Sequence, residues 1–233
     1  MKDDQTSISH QNLSNLDVCV VVFSLRDERL QVLLIPSRND SSRWELPGSP
    51  VPGEKSLEET ATESVLQLTG LREAFLEQLY TYGEVSRCPE RRLVSVVYFA
   101  IIPAGTAHPS NAQTIGEATG HPTRWFPVEK LPPLTMDNQE IVTYAFRRLR
   151  YKLEYSAVGF QLLPEYFSLS ELQKTYEMIL GETLDKRNFR RRILQAGIIE
   201  ETSRLRGGEG RPARLYRYRP DAVAEVKARR LFP

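Results

Sequence analysis

Apolar residues fall in short, dense runs through the first half of the chain and at helical spacing through the second. Residues 17–25 (DVCVVVFSL) and 30–37 (LQVLLIPS), split by the polar RDER, predict two strands of a hairpin. WELPGSPVPGE (44–54) is dense in Pro and Gly and predicts a structured loop. Over 56–70 the period changes: Leu57, Ala61, Val65 and Leu68 share one helical face, with Gly70 where a C-terminal cap belongs. Strand-like runs return at 75–83, at 92–102 and, briefly, at 123–128. The polar residues 1–16 carry no such pattern and are expected to be a disordered lead-in.

Asp137 and Glu140 have capping-box spacing and predict a helix over 138–155, with Ile141, Ala145 and Leu149 as its apolar stripe. Arg147, Arg148, Arg150 and Lys152 crowd its second half, where cations suit the helix dipole. That cluster reads either as a solvated helix end or as a connecting helix that also touches a partner or DNA phosphates. A second unit is expected over 156–233. SLSELQKTYEMILG (168–181) opens with Ser168 and Glu171 as a capping box, and LDKRNFRRRILQAG (184–197) has Asp185 as its N-cap and Gly197 as its stop. Strands at 198–205 and 213–220 flank RGGEGRP. Helix, turn, helix and then a hairpin with a Gly-rich tip is the order of a winged helix-turn-helix. The preceding unit is then 17–155, and the fold class is α+β.

Composition leaves this picture intact. The chain has 233 residues and 26.7 kDa, 40% hydrophobic and 26% charged, as in an ordinary globular protein. Cys19 and Cys88 lie in no CxxC and beside no histidine, which argues against structural zinc or a disulfide framework. The polar start lacks a signal h-region, and no apolar run nears the roughly 18 residues of a membrane span. A cytoplasmic address without membrane contact is expected.

Charge changes the picture more. A net charge of +1 argues against a nucleic-acid binder until it is divided along the chain. Residues 151–233 carry sixteen basic and eleven acidic side chains, leaving residues 1–150 at −4. Within 185–219, eleven Lys/Arg face four acids. Such a patch attracts phosphate backbones through counterion release. In the 184–197 helix, Phe189, Ile193 and Leu194 can pack inward, leaving Lys186, Arg187, Asn188, Arg190 and Arg191 for DNA. Arginine reads guanine bidentately and asparagine reads adenine. Arg211 and Arg214, in GRPAR at the hairpin, can enter a minor groove. The rival reading is a basic solvated helix beside a protein-binding loop.

Residues 44–71 resemble the Nudix box, whose loop wraps a diphosphate and whose helix carboxylates hold Mg²⁺. LPGSPVPGE and the terminal TGL match; the middle does not, and one residue is inserted between Gly48 and Gly70. In the register that keeps Val65 apolar, the metal-binding Glu-Glu pair becomes Gln67-Leu68; in the other it becomes Leu66-Gln67. Leucine offers a hard cation no oxygen. No catalytic residue and no metal ligand is therefore assigned, and Glu58, Glu59 and Glu63 read as a solvated helix face.

Together with EQLYTYG, KRNFRRRIL and GRPARLYRYRP, this degenerate box resembles the Nudix-related transcriptional regulators of the NrtR family. The resemblance implies a Nudix-type α/β/α sandwich with a mixed sheet, followed by the winged helix. It also implies a homodimer on a palindromic double-stranded DNA operator, mostly of NAD-biosynthesis genes, with ADP-ribose as releasing effector and no required cofactor. Ser49 and Pro50 in the loop, and Asn138 where relatives often have His, are departures that leave a sugar as alternative effector. An active ADP-ribose pyrophosphatase with a DNA-binding tail is the runner-up.

For the effector, Arg38, beside the loop, can meet a phosphate or be a surface charge. Glu54 can bond ribose hydroxyls or only order the loop. Tyr82 and Trp125 can stack on adenine or belong to the core. Arg87, Arg91 and Arg92 can contact a diphosphate without metal, since the guanidinium fork matches phosphate oxygens.

Overall fold

The computed structural model describes residues 16–88, 92–105, 123–207, 212–219 and 221, and only the backbone of 154 and 155. The 1–16 lead-in thus falls almost wholly outside the described residues. Strands β1 (Leu16–Arg26) and β2 (Arg29–Pro36) form the expected hairpin. Its turn residues, Asp27 and Glu28, both have positive φ (49° and 58°), as a type I′ turn requires. The 44–54 loop holds two further short strands, β3 (Trp44–Glu45) and β4 (Gly48–Pro50). Helix α1 (Leu57–Thr69) follows, then β5 (Phe75–Tyr82), β6 (Val94–Ile102) and β7 (Arg124–Pro127).

Among the described residues the sheet has seven strands, in the order β3-β2-β1-β6-β5, with β4 on β1 and β7 on β2. β1 and β6 run parallel and every other pair is antiparallel, so the sheet is mixed. Alternation along β1 separates two apolar layers. Val18, Val20 and Val22 meet Ala61, Val65 and Leu68 of α1. Cys19, Val21 and Phe23 face the other side, where helix α2 (Asn138–Tyr155) contributes Ile141, Ala145, Leu149 and Leu153. The result is an α/β/α sandwich.

α1 begins with a capping box between Ser56 and Glu59 and ends at Gly70, whose φ of 73° suits glycine. α2 differs from expectation: Asp137 occupies the N-cap position but makes no capping bond, because its carboxylate is paired elsewhere. A 3-10 turn (Ala157–Leu162) leads from α2 to α3 (Leu169–Leu180) and α4 (Lys186–Gln195). Strands β8 (Ile199–Arg206) and β9 (Ala213–Tyr218) then form the wing. Ser168 and Glu171 form the capping box of α3, and the Asp185 side chain caps α4. A bridge between Phe167 and Tyr216 ties the entry to α3 onto the wing.

The α2-side core does not stop at the sandwich. It continues through Val158, Phe160 and Leu162 to Leu172, Tyr176, Phe189 and Ile193. Polar ties cross the same joint. Ala104 N–H donates to the Leu162 carbonyl at 3.0 Å, Lys174 pairs with Glu28 at 2.5 Å, and Arg150 donates to the Leu180 carbonyl. Among the described residues no helix is long and apolar enough to cross a membrane.

Candidate sensor cavity and nucleic-acid interface

β4 pairs with only the first residues of β1, which opens a cleft between the Pro/Gly loop, the starts of β1 and β6, and the N-terminus of α2. Its cavity of about 370 Å³ is lined by Arg38, Gly48, Ser49, Arg87, Ser95 and Asn138, among others. That volume lies within the range of small-molecule sites, roughly 300–1,000 Å³. Gly48 suits this close approach, since a Cβ would stand a tight 3.2 Å from the Val18 carbonyl oxygen.

Arg87 organises the floor. Its side chain is 5% exposed and donates from Nε to Asp137 Oδ2 at 2.5 Å and from Nη1 to Ser95 Oγ at 2.6 Å. Asn138 Oδ1 accepts from the Leu46 N–H at 2.6 Å, fixing the segment between β3 and β4. Cys19, also on the lining, is buried, and that burial pushes its thiol up, keeping it protonated.

The other sequence candidates stand elsewhere. Tyr82 packs beside Arg87, the guanidinium 5.8 Å from its ring, without lining the cavity. Burial, then the carboxylates of Glu140 and Asp137, push its phenol up to about 12. Arg92 donates to the Gly83 carbonyl from an exposed position, and Glu54 is exposed in the loop. Trp125 lies on the α1 side of the sheet under Arg26, and Arg91 is outside the described residues. Ser95, Asp137 and Asn138 carry the floor and were not among the candidates. The signal for Ser95 is a polar residue inside the apolar run VSVVYFAII.

No α1 side chain lines the cavity. Glu59 is committed to the Ser56 cap, Glu63 pairs with Lys55 at 2.6 Å, and Ser64 meets Ser49 at 3.2 Å. Leu68 is buried in the core and Gln67 is exposed. These residues do not fit the oxygen cage that Mg²⁺ needs.

A larger, open groove of about 1070 Å³ runs between the 160–165 turn and β9, where Phe160 stacks on Tyr218. Of its charged lining among the described residues, Glu200 pairs with Arg217 and Arg219 with Asp221, which leaves Glu165 as a lone carboxylate unsuited to an anion. The polar groups that converge on one point are those of the smaller cavity.

On α4, Phe189 and Ile193 are buried, whereas Leu194 is 49% exposed and does not join them. Helical spacing puts Leu194 on the outer face with Arg187 and Arg191, also exposed. Lys186 is exposed; Asn188 accepts from Arg191 Nη2 at 2.9 Å. Arg190 turns back to Ser170 Oγ at 3.1 Å on α3, half-buried. On the wing Arg214 pairs with Glu201 and Arg206 with Glu171, while Arg204 lies 3.8 Å over the Tyr166 ring. Arg211 is outside the described residues. Among the described residues of the winged helix, the unpaired positive charge therefore concentrates on α4.

A Nudix sandwich whose last helix runs into a winged helix defines a class of two-unit proteins, a small-molecule cleft coupled to a nucleic-acid reader. The NUDIX domain profile matches residues 15–145, and the NrtR DNA-binding winged helix domain matches 159–218. The chain is 35% identical over 211 residues to the ADPR responsive transcriptional repressor NtrR of Acinetobacter baylyi, covering 87% of this chain and 81% of that protein. Its fold matches the crystal structure of Shewanella oneidensis NrtR complexed with a 27mer DNA, with TM-score 0.79 and 32% identity over 92% and 96% of the two chains. A MutT/nudix family protein from Enterococcus faecalis shares the fold at TM-score 0.70 and 23% identity, over 88% of each chain. The chain belongs to the NrtR family.

Proposed function

We propose that this protein is a transcriptional repressor of NAD-metabolism genes that binds a palindromic operator as a homodimer and leaves it when ADP-ribose fills the cavity. The carrying observation is the division of labour on α4: Phe189 and Ile193 are committed to the core, and Lys186, Arg187 and Arg191 face outward. In a winged helix such a helix enters the major groove. Two copies related by a dyad match a two-fold operator only at one helix separation, so a small rearrangement of either unit weakens binding. Arg38 and Arg87 on the cavity supply the positive charge a diphosphate requires. The name of the Acinetobacter baylyi relative, as ADPR responsive, supports ADP-ribose as effector.

The reading is non-catalytic. It is supported by the engagement of Glu59 and Glu63 in other bonds and by Leu68 in the core at an acid-pair position. A ligand panel tests effector and catalysis together. ADP-ribose at millimolar dose raises the melting temperature, since stabilisation grows as RT ln(1 + [L]/Kd). NAD and pentoses do so less, and AMP release with Mg²⁺ stays at background. Steady AMP production contradicts the non-catalytic role; a pentose response without an ADP-ribose response moves the effector to sugars.

A further inference from the structure

The cavity floor and the N-terminus of α2 share one ion pair, and that pair replaces a helix cap. Asp137 sits at the N-cap with φ −93° and ψ 13° and makes no capping bond. Its Oδ2 takes Arg87 Nε, while Oδ1 is buried without a hydrogen-bond partner among the described residues. The preceding residue, Met136, has φ 48°, in the left-handed region that a side chain disfavours. Met136 and Asn138 line the cavity, and Asn138 also holds Leu46, between β3 and β4. At its far end α2 is joined to the winged helix: Leu153 and Tyr176 leave Gly159 no room for a Cβ, which would meet them at 2.8 and 2.9 Å.

Resting on the effector reading above, we infer that the Arg87–Asp137 pair is the switch through which cavity occupancy reaches α4, with Asp137 as a positioning residue that touches no ligand. A phosphate that engages the Arg87 fork with two parallel bonds competes with Asp137 for the same guanidinium. Displaced, the carboxylate stays unpaired in a largely buried site, which is strongly unfavourable, unless the start of α2 moves it to water. Met136 is the hinge for that movement, since leaving the left-handed region relieves strain. Asn138 carries the β3–β4 connection along, and α2, packed along its length, passes the shift to the 157–162 turn and α3. The empty-cavity arrangement, with the pair closed, is the operator-binding one. A ligand shifts the balance only through this differential interaction.

The test uses full-length protein, ADP-ribose and an operator duplex selected in vitro with the wild type. In the wild type, saturating ADP-ribose weakens duplex binding about tenfold, a typical coupling. Asp137→Asn, which removes the charge and keeps the shape, still binds ADP-ribose by calorimetry. Its duplex affinity is already low, and the ratio with and without ligand falls toward one. A variant ratio equal to the wild-type ratio overturns the switch. Hydrogen exchange on the wild type needs no variant: bound ADP-ribose speeds exchange at 137–141 and 157–162, and unchanged exchange with ligand demonstrably bound also overturns it. Failure of ADP-ribose to bind the wild type overturns the effector reading itself, and the switch falls with it.

Discussion

Arg190 and Arg191 are neighbours in sequence with different structural situations. Arg191 is exposed and, among the described residues, bonds to Asn188 on its own helix; Arg190 is half-buried and reaches Ser170 on α3. Arg191→Ala is expected to weaken duplex binding by about 1–3 kcal/mol and leave the melting temperature unchanged. Arg190→Ala lowers the melting temperature as well, because it cuts a tie between the two helices. Anisotropy titrations and thermal melts of both variants check this; equal melting shifts contradict it. Tyr82 gives a second expectation. Its folded-state phenol titrates at about 12, above the ordinary 10. A raised value means that its contribution is intact below pH 10 and is lost as pH climbs toward 12. Tyr82→Phe flattens that part of the stability–pH profile, and an unchanged profile sinks the assignment. At this scale the sequence was legible where partners are local. Asp185 caps α4 three residues on, whereas Asp137 answers to Arg87, fifty positions upstream, which no local spacing encodes. Leu194 satisfies helical periodicity, but the inner face of α4 is narrow and ends with Phe189 and Ile193.

Helices and long strands announce themselves through period and caps, so α1, α3 and α4, β1, β2 and β6 were readable from their patterns. β3 and β4, two and three residues long, are too short for any period and lie hidden in a Pro/Gly-rich loop. Their pairing with β2 and β1 nevertheless builds one wall of the cavity. The capping box of α3 is a test at this scale, since α3 supports α4 from behind. Ser168→Ala removes the Glu171 N–H acceptor and is expected to cost about 1 kcal/mol of stability by denaturant titration. No change in midpoint contradicts a stabilising cap. Gly159→Ala addresses the joint: the added methyl meets Leu153 and Tyr176, and overpacking costs roughly 1–3 kcal/mol.

Across the whole molecule, one apolar cluster runs from the sheet through the 157–162 turn into α3 and α4. The two units are therefore expected to unfold in a single calorimetric transition, and two well-separated transitions contradict that. The same continuity gives a cavity at one end of α2 a mechanical route to the reader at the other. Segregated charge was visible in the sequence, but its distribution was not: Arg206, Arg214 and Arg217 of the wing are paired with Glu171, Glu201 and Glu200, so among the described residues of this unit α4 holds most of the free charge. The most direct measurement is a fluorescence-anisotropy titration of full-length protein against its selected operator duplex, with and without saturating ADP-ribose at fixed salt. The account predicts tight binding alone and a dissociation constant raised about tenfold by the ligand. Coincident curves, with ADP-ribose shown calorimetrically to be bound, would contradict it.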